Sequence, residues 1–238
     1  MTENGEDVVG TRRPGTPDLR LASDVPEEAP PLDPRAEPPL AGADDSGLPR
    51  DRNQAILEAA KQVGAVLKRG GHLFALAGSV AVHAHGGSGN LQHDVDFCVR
   101  PEDAGPVAAT LRDAGLTVYS PPEDWLIKAT CFGQDVDVIF ELAHRPVSEE
   151  MLRRAQELPV DSVRMPVLAP TDLLTGLIAA FSEHHCDFGA VLPIARALRE
   201  KVDWEQVRRD CGDAPMPAAF FFLLERMNVI RPARGGNP

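Results

Sequence analysis

Apolar positions first recur with helical spacing at Ile56, Ala59, Ala60, Val63, Val66 and Leu67, which predicts an amphipathic helix from Asp51 to Arg69, stopped by Gly70-Gly71. The run Leu73 to Ala77 then reads as a buried strand, and Ser79 to His85 as a short helix ending at Gly86-Gly87. From Asp94 to Val99 the period drops to two: Val95, Phe97 and Val99 share one face of a strand, and Asp94 and Asp96 share the other. Pro101 to Ala114 predicts a helix with Pro101 at its start, Glu102 and Asp103 in its first turn and Gly115 beyond its end. Val118-Tyr119, Trp125 to Phe132 and Val136 to Leu142 predict strands, the last two joined by a turn at Gly133-Gln134. Ser148 to Glu157 reads as a short helix and Val163 to Leu168 as a short strand. After Pro170 the period is helical throughout, over Thr171 to Phe181, Phe188 to Lys201, Trp204 to Cys211 and Pro217 to Met227. Thr171 or Asp172 is a candidate cap for the first of these helices, and Asp203 for the third. The expected class is α+β, a mixed sheet flanked by helices and followed by a C-terminal helical subdomain.

Composition divides the chain the same way. Residues 1–50 are rich in Pro, Glu, Asp, Gly and Ala, as in Pro26-Glu27-Glu28-Ala29-Pro30-Pro31, and cannot bury enough apolar area to offset their ordering entropy, so a disordered tail is expected. An α/β domain is expected over residues 51–168 and the helical subdomain over 169–238. With 238 residues, 43% of them hydrophobic, the chain can support a sizeable core. Its net charge of −12 argues against an extended nucleic-acid surface, which needs many Lys and Arg to neutralise phosphates. A small substrate or a protein partner suits it better. Cys98, Cys131, Cys186 and Cys211 lack paired spacing and read as buried reduced thiols. The acidic N-terminus has no apolar core of a signal peptide and no run of about 18 apolar residues occurs, so a cytoplasmic protein without a membrane span is expected.

The chemistry lies between Gly78 and Asp137. Asp94 and Asp96 point to the same side of their strand, and a further carboxylate from Val136-Asp137-Val138-Ile139 can converge on them. Asp135 and Asp137 share a face, and Asp137 is the better third member because it is centred in the apolar run. Three carboxylates on one face repel unless a cation lies between them, and hard oxygen donors with substrate phosphates suit Mg²⁺ or Mn²⁺. Two such ions about 4 Å apart would clamp the attacking and leaving oxygens of a phosphoryl displacement. Gly78-Ser79, between strand and helix, allows close approach of backbone N–H groups and a hydroxyl to a phosphate.

This order of Gly-Ser turn, Asp-x-Asp strand and apolar-Asp-apolar strand resembles the DNA polymerase β-like nucleotidyltransferase superfamily. The stretch from Leu168 to Trp204, with Pro170-Thr171-Asp172-Leu173-Leu174 and Val202-Asp203-Trp204, is similar to the helical tail of its small bacterial members. The resemblance implies that Asp94, Asp96 and Asp137 bind metal and form the catalytic triad, and that Gly78 and Ser79 hold an NTP. It further implies transfer of NMP to a hydroxyl of a small molecule or protein, with release of pyrophosphate. His93, just before the triad, is a candidate phosphate contact. Many small members carry a basic residue before the first aspartate, whereas this loop reads Gly86-Gly87-Ser88-Gly89-Asn90-Leu91-Gln92-His93.

Other readings stay open. A degenerate relative, keeping the fold as a binding or antitoxin-like module, fits the altered loop. An HD-type phosphohydrolase would need His83, His93 and Asp94 on helices, against the strand pattern. His83 and His85 read as structural. Glu183-His184-His185-Cys186-Asp187 matches no zinc spacing, although one of its side chains could face a cleft. Arg196, Arg199 and Lys201 are candidate triphosphate contacts, and Lys128 a partner for a carboxylate. Asp135 and Glu141 are candidate bases.

Overall fold

The computed structural model describes residues 51–87, 91 and 94–232. The expected disordered tail and His93 lie outside the described residues.

Helix α1 (Arg52–Arg69) opens where Asp51 accepts a 2.9 Å hydrogen bond from the Asn53 N–H, and ends with Lys68 and Arg69 in its last turn, charges that suit the carbonyl end of the helix. Its apolar face is fully buried at Ile56, Ala59, Ala60, Val63 and Leu67. Strand β1 (Ala75–Leu76) leads into helix α2 (Gly78–Ala84), followed by strand β2 (Asp94–Cys98). A 3₁₀ turn, Pro101–Asp103, precedes helix α3 (Ala104–Asp113). Strands β3 (Thr117–Tyr119), β4 (Leu126–Cys131) and β5 (Gln134–Ile139) follow, then a small hairpin, β6 (Glu141–Leu142) and β7 (Arg145–Pro146).

Two sequence expectations fail in the middle of the chain. The β4–β5 turn is Phe132-Gly133, one residue earlier than expected, with φ of 51° and 70° and Cys131 opposite Gln134. A two-residue hairpin turn with both residues at positive φ places its glycine second, which sets the register. The helix expected over 148–157 stops early. Helix α4 is only Glu149–Arg153, and Gln156–Val160 is strand β8, paired antiparallel with β9 (Val163–Val167) from Gln156↔Val167 to Val160↔Val163. Five cross-strand pairs with β9 override the helix preference of Gln156-Glu157-Leu158. Pro159 is tolerated because β8 is an edge strand.

The seven-stranded sheet runs β3-β4-β5-β2-β1-β9-β8 and is mixed: β2–β5 and β1–β9 are parallel, the other pairs antiparallel. Val95 and Phe97 are completely buried on the side of β2 nearest α1, where the Phe97 ring packs edge-on against Phe74 at 5.8 Å. Alternation therefore sends Asp94 and Asp96 to the opposite side.

Helices α5 (Pro170–Ala179), α6 (Phe188–Leu198), α7 (Trp204–Cys211) and α8 (Pro215–Arg226) complete the chain. Phe181, Phe188 and Phe220 pack together with ring centroids 5.0 to 5.2 Å apart. Asp203 caps α7 by accepting from the Gln206 N–H at 3.0 Å, whereas neither Thr171 nor Asp172 caps α5. Thr171 Oγ1 accepts instead from the Asp203 N–H at 3.0 Å, and Asp172 is drawn to Arg154 by bonds of 2.7 and 3.2 Å. Cys98 and Cys131 are buried as expected, but Cys186 is exposed and Cys211 only half-buried.

Candidate active site

Register builds the site. In the parallel β2–β5 pair Asp96 lies opposite Asp137, and in the antiparallel β4–β5 pair Asp137 lies opposite Lys128, so Asp96, Asp137 and Lys128 form a row across three strands. Asp94, two residues from Asp96, joins from the same face. One carboxylate oxygen from each of Asp94, Asp96 and Asp137 lies within 4.8 Å of the other two. Asp135 sits opposite Asp94, yet it is exposed and outside this group.

Asp137 is buried, at 7% exposure, and both its oxygens accept from Lys128 Nζ, at 2.7 and 2.9 Å. Burial pushes its carboxyl up despite the pull of Lys128. Asp96 is pushed up to about 7, first by burial and then by the charges of Asp94 and Asp137. Burial would pull the Lys128 ammonium down, but its bond to Asp137 and that charge win and hold it above its usual value. One ammonium against three carboxylates leaves the face short of positive charge. The donors are all hard oxygens, and the neighbouring Cys98 thiol is pushed far up by burial, so no thiolate competes. The set suits Mg²⁺ or Mn²⁺ and not a thiolate-bound metal.

Gly78 is tied to this geometry. Ala77 N–H donates to the Asp96 carbonyl at 2.8 Å, and the chain turns into α2 with Gly78 at φ +59°. A Cβ there would lie 1.7 Å from Asp96 Oδ2. Only glycine gives both the conformation and the space for the carboxylate. Ser79 follows in the first turn of α2, whose N-terminus at Ala77 has no side-chain cap.

The other candidates divide. His83 is exposed; His85 is buried, its Nε2 2.8 Å from the Leu168 carbonyl, and burial lowers its pKa. Lys201 donates to the His85 carbonyl at 2.7 Å, Arg199 pairs with Glu200 at 3.0 Å, and Arg196 reaches Met227 Sδ at 3.9 Å, so these cations are engaged away from the triad. In the 183–187 run Asp187 caps α6 by accepting from the Ala190 N–H at 3.0 Å, and His185 lines a cavity.

That cavity, of about 620 Å³, opens beside Gly78 and Asp96. The β6–β7 hairpin and α5 wall it, with Glu141 on its surface. Most of its walls were invisible to the sequence reading. Gly176, a small residue within the apolar α5, was the available signal.

Solved structures offer distant likenesses. The antibiotic-resistance factor ANT(2'')-Ia in solution is 13% identical with a TM-score of 0.49, over 74% of this chain and 96% of that one. ANT(2'')-Ia in complex with adenylyl-2''-tobramycin is 14% identical with a TM-score of 0.49, over 70% and 97%. A tRNA nucleotidyltransferase complexed with a primer tRNA and an incoming ATP analog is 14% identical with a TM-score of 0.30, over 74% and 63%. No curated protein matches the sequence. A family model described as uncharacterised nucleotidyltransferase matches residues 46–229, which takes in the Gly-Ser turn, all three converging aspartates and the C-terminal helices. The chain therefore belongs to that nucleotidyltransferase family.

Proposed function

We propose that the protein is a metal-dependent nucleotidyltransferase that moves NMP from an NTP to a hydroxyl of a small-molecule or protein acceptor in the cytoplasm. The observation that carries this reading is the convergence of Asp94, Asp96 and Asp137 within 4.8 Å beside Gly78. Asp94, Asp96 and Asp137 would hold Mg²⁺ or Mn²⁺, which would neutralise triphosphate charge and favour the ionised form of the attacking oxygen. In the transfer the acceptor oxygen forms a bond to the α-phosphorus, the bond from that phosphorus to the bridging oxygen breaks, and pyrophosphate leaves with the electron pair. The hydroxyl proton is released to a base. Of the two carboxylates considered for that role, Glu141 lines the cavity beside Asp96, which supports it over Asp135.

Gly78 keeps the start of α2 against Asp96, which supports backbone N–H groups there and the Ser79 hydroxyl as phosphate contacts. His93 is proposed as a further phosphate contact. Lys128 holds the Asp137 carboxylate in one orientation before any substrate arrives.

One observation favours the second reading, a binding or antitoxin-like module with turnover lost. Lys128 already satisfies Asp137, as a resident cation would. Incubating the protein with each α-labelled NTP, Mg²⁺ or Mn²⁺ and cell extract separates the two. Label transferred by wild type and lost in Asp137→Ala supports the enzyme; tight nucleotide binding with no transfer for any NTP supports the module.

A further inference from the structure

The cavity beside Asp96 has a chemistry of its own. It has the size of a site for a small organic molecule. Its walls are mainly Trp125, Ile139, Leu142, Leu173 and Leu177, and among the described residues no lysine or arginine lines it. Away from its Gly78 and Asp96 end, along α5 and the β6–β7 hairpin, a triphosphate or other polyanion would find no lysine or arginine of the described residues to pair with. A polycation fares little better. Of the carboxylates on its surface, Asp96 belongs to the triad and Asp172 is paired with Arg154 at 2.7 Å, which leaves Glu141, whose Oε1 lies 3.8 Å from His144 Nδ1. Several ammonium groups would lose water against aliphatic walls with one carboxylate among them, a costly desolvation.

We propose that this cavity is the acceptor subsite and that it takes an uncharged molecule with an apolar body and a terminal hydroxyl, the body lying along α5 and the hydroxyl directed at Asp96 and Glu141. The proposal rests on the transferase reading and narrows its acceptor class. The apolar body gains by leaving water for Leu142, Leu173 and Leu177, and the hydroxyl hydrogen has Glu141 as its acceptor. When the hydroxyl oxygen bonds to the α-phosphorus and pyrophosphate departs, the proton passes to Glu141 and on to water. The β6–β7 hairpin fixes Glu141 and Leu142 at the cavity through the tight turn Ala143-His144.

Gly176 supplies the test. It lines the cavity from α5, and a Cβ there meets only Leu142 side-chain carbons at 3.8 and 4.0 Å, ordinary contact distances. An alanine therefore fits, and a leucine enters the space a ligand would use. Titration calorimetry on the full chain, with octan-1-ol and tobramycin as probes, compares wild type, Gly176→Ala and Gly176→Leu. The expected result is octan-1-ol binding within threefold of wild type in Gly176→Ala and at least tenfold weaker in Gly176→Leu. Mn²⁺ affinity should change less than twofold in either. Ala180→Leu, which enters the same cavity, repeats the test if Gly176→Leu does not fold. No octan-1-ol binding, binding indifferent to these leucines, or tobramycin binding that they abolish overturns the proposal. In the labelled-NTP assay with cell extract, octan-1-ol should compete with the natural acceptor. Transfer that neither octan-1-ol nor Gly176→Leu diminishes overturns the acceptor assignment but leaves the transferase reading standing. Leucine-sensitive octan-1-ol binding with no transfer from any NTP overturns the transferase reading itself.

Discussion

Gly78 and Asp96 show how two side chains, one of them a hydrogen, define the site. Gly78→Ala would place a methyl 1.7 Å from Asp96 Oδ2 at a backbone φ of +59°. The left-handed conformation and the clash together should cost about 2 to 4 kcal/mol of stability in urea denaturation. Mn²⁺ affinity should fall with it, because Asp96 must move. Unchanged values of both would show that α2 shifts freely. Asp96 also sets a pH dependence. Its folded pKa of about 7 lies above the ordinary 3.8, so its contribution to stability is fully present below 3.8 and is lost as pH rises through 7. Metal-free protein should thus lose part of its stability between those values, and Asp96→Asn should remove that loss and raise Tm at pH 8. His85 works in the opposite sense. Its pKa is lowered from 6.5 by burial, so its contribution is present above that value and fades as pH falls. A Tm series of wild type, Asp96→Asn and His85→Gln from pH 5 to 8 separates the two, and identical slopes in all three would refute both assignments.

Among the elements, turns and edges carry the information that periodicity lacks. The β6–β7 turn holds Ala143 and His144 at φ of 47° and 62°. Asn-Gly is the pair such a turn prefers. Ala143→Asn with His144→Gly should therefore stabilise the protein by about 1 kcal/mol, read as a higher urea midpoint with unchanged slope. A lower midpoint would mean that His144 makes a contact the turn depends on. Helix α1 and strand β2 were legible because each declares itself locally, α1 by Ile56, Ala59, Val63 and Leu67 on one stripe, β2 by Val95 and Phe97 against Asp94 and Asp96. Strand β8 was not, because Gln156-Glu157-Leu158 follows the residues of α4 without a break in pattern. Its strand state comes from pairing with β9.

For the whole molecule, metal binding and stability are linked, since the three carboxylates join β2 to β5 near the middle of the sheet. Mn²⁺ at one hundred times its Kd should add about 2.7 kcal/mol to unfolding free energy. The rise in Tm should vanish with EDTA and in Asp94→Asn. Lys128→Met should lower the Tm of the metal-free protein, by roughly 2 kcal/mol in stability, because Asp137 is left buried without its partner while Lys128 itself was part-exposed. Mn²⁺ should recover more stability in that variant than in wild type. A Tm in Asp94→Asn that still responds to Mn²⁺ would place the ion elsewhere.

The amino-acid sequence by itself determined the α+β class, most helices and central strands, and the candidate aspartates, because strand alternation and helical periodicity are written in neighbouring residues. It also placed Gly78 before a helix, where a tight turn is a local matter. Tertiary structure alone decided that Lys128 would face Asp137, that Asp172 would pair with Arg154 instead of capping α5, and that Glu141, Leu142 and Gly176 would line one cavity beside Asp96. The Lys128–Asp137 pair follows from the β4–β5 hairpin register set at Phe132-Gly133, and the other two depend on docking between segments farther apart in the chain, where a one-residue shift reverses the face a side chain presents and no local pattern carries the choice.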